Sequence, residues 1–264
     1  MPSKKTQTPL HRKREYVFLV VFPLVAVLLS LLLPINLFFG LILFHGLPAL
    51  WLSYQCPKKV PKVFFFTILF TLPFALIVEG IAEMNNAWWL ATAFDWRALH
   101  IVPVEAILWS ILAFYHITIF YEYFVDGKRI GQTNKRIKVF STLLFACLAL
   151  FLIVFFLNPL SLQIPYAYLW LGIVVGFLPA LCFLIFHKKL LRKFALAAAY
   201  FFYVNFTLEM TALSQGWWGF GGTHFIGWVN ISGLGFPLEE FIFYFIVATF
   251  AILAYYEYFV DDTR

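Results

Sequence analysis

The chain has 264 residues, of which 63% are hydrophobic and 12% charged, with a mean hydropathy of +0.87. Soluble globular proteins carry about 25% charged residues, so half of the usual polar coat is missing and a water-soluble fold is excluded. The net charge of +6 and pI near 9.2 do not point to a nucleic-acid partner, because the charges sit in short segments between apolar runs.

Residues 1–15 form a basic arm containing Lys4, Lys5, Arg12, Lys13 and Arg14. The apolar run 16–33 lacks a small-residue cleavage site and leads straight into another span, so it reads as a first helix and not as a cleaved signal. Further runs of about twenty residues, the length needed to cross the hydrocarbon layer, predict helices at 36–54, 62–83, 102–125, 138–157, 165–187, 194–213 and 236–260. Proline breaks the chain at Leu33-Pro34-Ile35-Asn36 and at Asn158-Pro159. The expected fold is an all-α polytopic membrane protein with eight transmembrane helices arranged as two parallel four-helix repeats. The repeats occupy 16–126 and 139–264, joined by a basic linker, 127–138. Cytoplasmic loops carry an excess of Lys and Arg. Eight spans place every one of the 19 Lys and Arg residues except Arg97 on one side. Both termini are therefore expected in the cytoplasm and the chain in the cell membrane. Cys56, Cys147 and Cys182 show no disulfide or metal spacing, and no metal or cofactor motif is present.

The repeat is written in the residues themselves. Leu47-Pro48-Ala49-Leu50 recurs as Leu178-Pro179-Ala180-Leu181, Lys58-Lys59 as Lys188-Lys189, Glu79 as Glu209, and Trp88-Trp89 as Trp217-Trp218. Pro103-Val104-Glu105 recurs as Pro237-Leu238-Glu239, and Glu122-Tyr123-Phe124-Val125-Asp126 as Glu257-Tyr258-Phe259-Val260-Asp261. The spacing drifts slowly between 129 and 135 residues, where chance matches would scatter. Four helices is an even number, so both halves enter from the same side, as in parallel-repeat membrane folds.

Carboxylates within spans cost a few kcal/mol on insertion scales and each needs a partner or a purpose. Helical rise places Glu79 about 25 Å above the cytoplasmic entry of its span, and Glu209 at a comparable level. Glu105, Glu239 and Glu240 fall in the first turns of descending helices. Five carboxylates from four helices thus share one outer layer. Helix-start stabilisation by the macrodipole accounts for Glu105 and Glu239, but not for Glu79 and Glu209 near helix C-termini. Carboxyl groups buried among apolar and like-charged neighbours hold a proton near neutral pH and become donors. Glu239 and Glu240 point about 100° apart, so one of them faces a given pocket. His116 shares a face with Glu105, with Trp109 between them, and Asn205 lies one turn from Glu209 and is placed to orient it. Glu122, Asp126, Glu257, Asp261 and Asp262 read instead as serving boundary anchoring and loop pairing, for example Asp261 with Arg264. Seven tryptophans cluster near the outer layer; most suit interfacial anchoring, and their ring faces also suit a cation. The glycine-rich loop 214–235 has no lysine and reads as a lid or a close-packing segment.

At Phe236-Pro237-Leu238-Glu239-Glu240-Phe241-Ile242-Phe243-Tyr244-Phe245 the chain resembles the lycopene cyclase domain family, the flavin-independent membrane type whose Pro-x-Glu-Glu pattern occurs twice along a chain of this length. The first half departs from the pattern, reading Pro103-Val104-Glu105-Ala106. The resemblance implies an acid-catalysed, redox-neutral cyclisation of an acyclic carotenoid end, with Glu239 or Glu240 as the acid. Glu105, Glu209 and Glu79 would serve as base or proton-sharing partners. Trp109, Trp217 and Trp218 would stabilise the cation, and His116 and Phe243 would help line the substrate site. No cofactor or metal is implied. The partners are a lycopene-like carotenoid and the bilayer, with oligomeric state, ring type and one- or two-end cyclisation left open. A proton-coupled transporter and a non-catalytic membrane partner subunit are the alternatives. The first would place carboxylates along a path across the membrane, whereas the middle layer is nearly free of them. A prenyltransferase lacks its aspartate-rich motifs here, and a retinal photoreceptor lacks its lysine.

Overall fold

The computed structural model describes residues 9–126 and 136–260. Expectations placed on residues 1–8, 127–135 and 261–264, including most of the basic linker and the Asp261–Arg264 pair, lie outside the described residues. The helices are α1 (Pro9–Leu32), α2 (Leu37–Gln55), α3 (Val60–Met84), α4 (Val104–Asp126), α5 (Ile137–Leu157), α6 (Ala167–Phe186), α7 (Lys188–Gln215) and α8 (Glu240–Phe259). From α2 to α8 each is long and apolar enough to cross a membrane; the apolar part of α1, Val17–Leu32, is shorter. The chain is a multi-pass helical membrane protein. Leu150, Phe156, Val174 and Phe186 on α5 and α6 point outward and are exposed, faces that only lipid can solvate. With every backbone group bonded within its own helix, such segments need no water.

Helix starts and stops follow local chemistry. Pro34 interrupts the chain and Asn36 caps α2, its side chain accepting from the Phe39 amide at 3.2 Å. The α7 helix begins at Lys188, earlier than the predicted 194, because it continues through its basic first turns into the interface where apolarity gives no signal. Two predicted helix starts are corrected: 102–103 and 236–237 are strands. They belong to β2 (Arg97–Ala98) with β3 (Val102–Pro103), and to β5 (Trp228–Ile231) with β6 (Leu234–Pro237), once β1 (Trp89–Leu90) and β4 (Trp218–Gly219) are counted in chain order. Proline without an N–H suits a strand end, and it holds the preceding residue extended. Four helices carry π-helical segments: Ile42–Gly46, Tyr121–Asp126, Gly172–Phe177 and Glu240–Val247.

Packing is interleaved. The α4 and α8 helices meet at the centre, with α2 and α3 on α4 and α6 and α7 on α8. Crossing over, α1 packs on α7 and α5 on α3. The core is aromatic, with Phe66, Tyr121, Phe194, Phe201 and Tyr256 fully buried. At the end rich in Lys and Arg, Lys59 and Lys62 ion-pair with Glu122, and Lys193 with Asp126 at 2.6 Å. The Tyr256 hydroxyl donates to Glu122 and the Tyr121 hydroxyl to Glu257, so adjacent Tyr-Glu pairs of α4 and α8 exchange bonds. Glu122 and Asp126 therefore make the loop pairing expected of them, and together with Glu257 they are buried in doing so. Cys147 and Cys182 are exposed on outward faces. Between α2 and α3, burial pushes the Cys56 thiol up to about 11, which leaves it unreactive.

Candidate functional site

The opposite end, where the strands lie, assembles the acidic layer from helix ends and returning loops. At the end of α3 the Ala87 amide bonds the Ala82 carbonyl, with Asn86 in the left-handed region; at the end of α7 the Trp217 amide bonds Ala212, with Gly216 left-handed. These left-handed C-caps satisfy helix carbonyls and turn the chain back over its own helix. Each return brings an indole onto the carboxylate nine residues earlier. The Trp88 Nε1–H donates to Glu79 at 2.9 Å and the Trp218 Nε1–H to Glu209 at 3.0 Å. The two returns are then tied together, because β1 pairs antiparallel with β4, Trp89 opposite Gly219 and Leu90 opposite Trp218.

The helix-start glutamates divide by role. Glu105 accepts the backbone amides of Ala93 and Phe94, and Glu239 accepts the Ile226 amide at 2.8 Å. Both are buried and reach back to the loop ahead of their helix. Glu240 turns elsewhere, as adjacent helical positions must. It opens the π-helical segment of α8 and accepts a hydrogen bond from the Tyr168 hydroxyl. Tyr168 in turn stands edge-on to Trp88, ring centres 5.0 Å apart. Glu79, Trp88, Tyr168 and Glu240 thus form one continuous chain of contacts between α3 and α8. Glu209 and Glu79 both lie within electrostatic reach of Glu240. Among the described residues, no cation is paired with Glu79, Glu105, Glu209, Glu239 or Glu240.

Below this layer lies a cavity of about 190 Å³ between α3, α4, α6 and α8. Glu79, Glu105 and Glu240 are at its head, with Trp88, Trp109, Trp218, Tyr168, Phe243 and Tyr244 around them. Farther in, the walls are Phe70, Phe74, Phe114, Val175, Ile252 and Tyr255. Phe74, Val78, Val175 and Tyr255 are only partly buried, so the cavity wall made by α3, α6 and α8 is not fully closed. Glu105 Oε2, Glu209 Oε1 and Glu239 Oε2 are buried without a hydrogen bond. Buried polar atoms are nearly always bonded, and of these three only Glu105 belongs to the cavity wall.

Of the residues singled out from sequence, Glu79, Glu105, Glu240, Trp109, Trp218 and Phe243 line the cavity. Glu209 sits behind Trp218 and Glu239 faces the loop, so neither is in the wall. His116 and Trp217 are corrections: neither reaches the cavity. The Trp217 indole lies against Gly40, where a Cβ would come within 2.3 Å of the ring, and donates to the Ile35 carbonyl at 3.0 Å. His116 pairs with His45 on α2, Nδ1 to Nδ1 at 3.3 Å, on the far side of α4. Asn205 does not orient Glu209; its Nδ2 donates to the Tyr244 carbonyl at 3.3 Å, inside the π-helical segment where carbonyls lose their usual partners. Sequence reasoning missed Tyr168, Tyr244 and the Trp88 contact. The recurrence of Glu-x8-Trp at 79/88 and 209/218 carried the last of these. Among the described residues no cluster of three His, Cys, Asp or Glu side chains is arranged to hold a metal ion. No protein-family model, curated protein or solved structure matches the chain.

Proposed function

We propose that this chain is a carotenoid end-group cyclase of the cell membrane, acting on an acyclic polyene such as lycopene. Its chain would span the membrane eight times as two parallel four-helix repeats, both termini cytoplasmic. The reciprocal Tyr–Glu bonds, the antiparallel pairing of β1 with β4 and the two equivalent Glu–Trp bonds support that repeat. One observation carries the function: buried carboxyl groups, with no cation beside them among the described residues, at the head of an apolar, aromatic cavity. An ionised carboxylate in such a place costs several kcal/mol unless paired, whereas a neutral carboxylic acid is a proton donor.

The chemistry is balanced without an oxidant or reductant. A proton from Glu240 adds to C2 of the terminal C1=C2 bond, leaving a tertiary cation at C1. The C5=C6 bond supplies its electron pair, forming C1–C6 and moving the cation to C5. Loss of a proton from a neighbouring carbon restores a double bond, so the product is an isomer of the substrate. The Tyr168 hydroxyl engages Oε2 of Glu240, which leaves Oε1 to carry the proton into the cavity. Glu79 and Glu209, within reach of Glu240, take up the released proton and return it. Trp109, Trp218 and Tyr244 present ring faces to the cation, and the apolar walls keep water from capturing it. The polyene enters from the bilayer through the wall made by α3, α6 and α8.

Expression in cells that accumulate lycopene tests the reading. Cyclised pigment is expected, and it should vanish in the Glu240→Gln chain. Unchanged lycopene, with the protein in the membrane, refutes the assignment. A proton-coupled transporter would instead acidify or alkalinise vesicles when its solute is supplied.

A further inference from the structure

The cavity occupies only one of two places that the repeat makes available. Exchanging the halves maps α3, α4, α6 and α8 onto α7, α8, α2 and α4, so an equivalent space should lie between α2, α4, α7 and α8. The register follows from residues already named. Leu47-Pro48-Ala49-Leu50 and Leu178-Pro179-Ala180-Leu181 pair Leu41 with Gly172 and His45 with Gly176. In α8 the spacing grows by one residue between Glu239 and Glu257 relative to α4. The π-helical segment Glu240–Val247 absorbs that insertion, since a π turn holds one residue more than an α turn. Beyond it, His116 pairs with Ala251.

The two spaces then differ in kind. Gly172, Gly176 and Ala251 line the cavity. Their counterparts Leu41, His45 and His116 are fully buried, and the two imidazoles meet at 3.3 Å. The acid is missing there as well. Glu240 corresponds to Ala106 and its partner Tyr168 to Leu37, and both of these apolar counterparts lie in the wall of the same cavity instead of heading a second one. Bulk has been added and the donor and its tyrosine removed, all on one side.

We infer that each chain has a single reaction chamber, the one between α3, α4, α6 and α8, and that a polyene with two acyclic ends has them cyclised there in turn. The order of cyclisation rests on the function proposed above; the number of chambers does not.

Both parts are tested on the purified chain in lipid nanodiscs. Lycopene is titrated against tryptophan fluorescence, because Trp88, Trp109 and Trp218 line the chamber. Quenching should saturate at one polyene per chain. Ala251→Leu fills the chamber and should weaken binding roughly a hundredfold. Gly176→Ala, whose new methyl meets Val247 at 3.2 Å, is the milder variant and should weaken it roughly tenfold. Monocyclic and bicyclic products should fall together in both variants. Saturation at two polyenes per chain overturns the inference. So does a filled chain that still makes monocyclic product at the wild-type rate. Binding at one per chain with no cyclised product from the unaltered protein would sink the cyclase assignment while leaving the single chamber standing.

Discussion

The two ends of the bundle use the same residue type in opposite ways. At the basic end, Glu122 and Asp126 are buried against Lys59, Lys62 and Lys193, and Glu257 against Tyr121. At the strand end, Glu79, Glu209 and Glu240 are just as buried but meet indoles, a phenol and one another. A carboxylate given a cation is a structural bridge. One given only neutral donors and an apolar cavity keeps its chemistry available. Burial alone does not separate the two roles; the partner does.

Substitutions at each end sharpen the contrast. The largest expected effect is on Glu240→Gln, which keeps the shape and the Tyr168 contact but removes the acid. Cyclisation should fall by about 10²–10⁴-fold while thermal unfolding in detergent stays close to the parent. Wild-type turnover in that chain would erase the functional distinction between the ends. Next comes Glu122→Ala, which takes the carboxylate away from the buried ammonium of Lys59. It should cost about 3–5 kcal/mol in denaturant titrations, with activity per folded molecule unchanged. Glu105→Ala abandons the Ala93 and Phe94 amides, at about 1–3 kcal/mol for each orphaned donor. Glu105→Gln, which still accepts, should recover most of that stability. Smallest is Trp88→Phe, which removes the N–H donated to Glu79 and trims the indole to a single ring: about 1–2 kcal/mol, read as a modest drop in melting temperature and less than a tenfold loss in rate.

Much of the architecture was legible because lipid imposes a simple code. Runs of about twenty apolar residues located the helices, and α1 and α7 were begun too late, at 16 and 194 instead of Pro9 and Lys188, because their basic first turns carry no apolar signal. The strands at 102–103 and 236–237 were missed because Pro103 and Pro237 read equally well as helix starts. In the site, depth along a helix placed the acidic layer, but depth says nothing of azimuth. That is why His116, on the Glu105 face by counting, turns to His45 instead, and why Trp217 and Trp218, adjacent in sequence, face opposite sides of β4. Tyr168 carried no signal of its own, being one of 13 tyrosines in the chain. Setting it beside Leu37, its counterpart in the first half, would have marked it as a departure in need of a reason.

The crossed packing of α1 on α7 has a consequence for how the protein is made. The Tyr203 hydroxyl donates to the Val20 carbonyl at 2.8 Å, so α1 docks on α7, a helix made long after it. During synthesis α1 must wait in the bilayer, held by lipid contacts alone on that face, until α7 is inserted. Its partner in the exchange, α5, finds α3 already in place. A nascent chain stalled before residue 188 should therefore leave α1 open to crosslinking by lipid-borne reagents, and release of the full chain should close it.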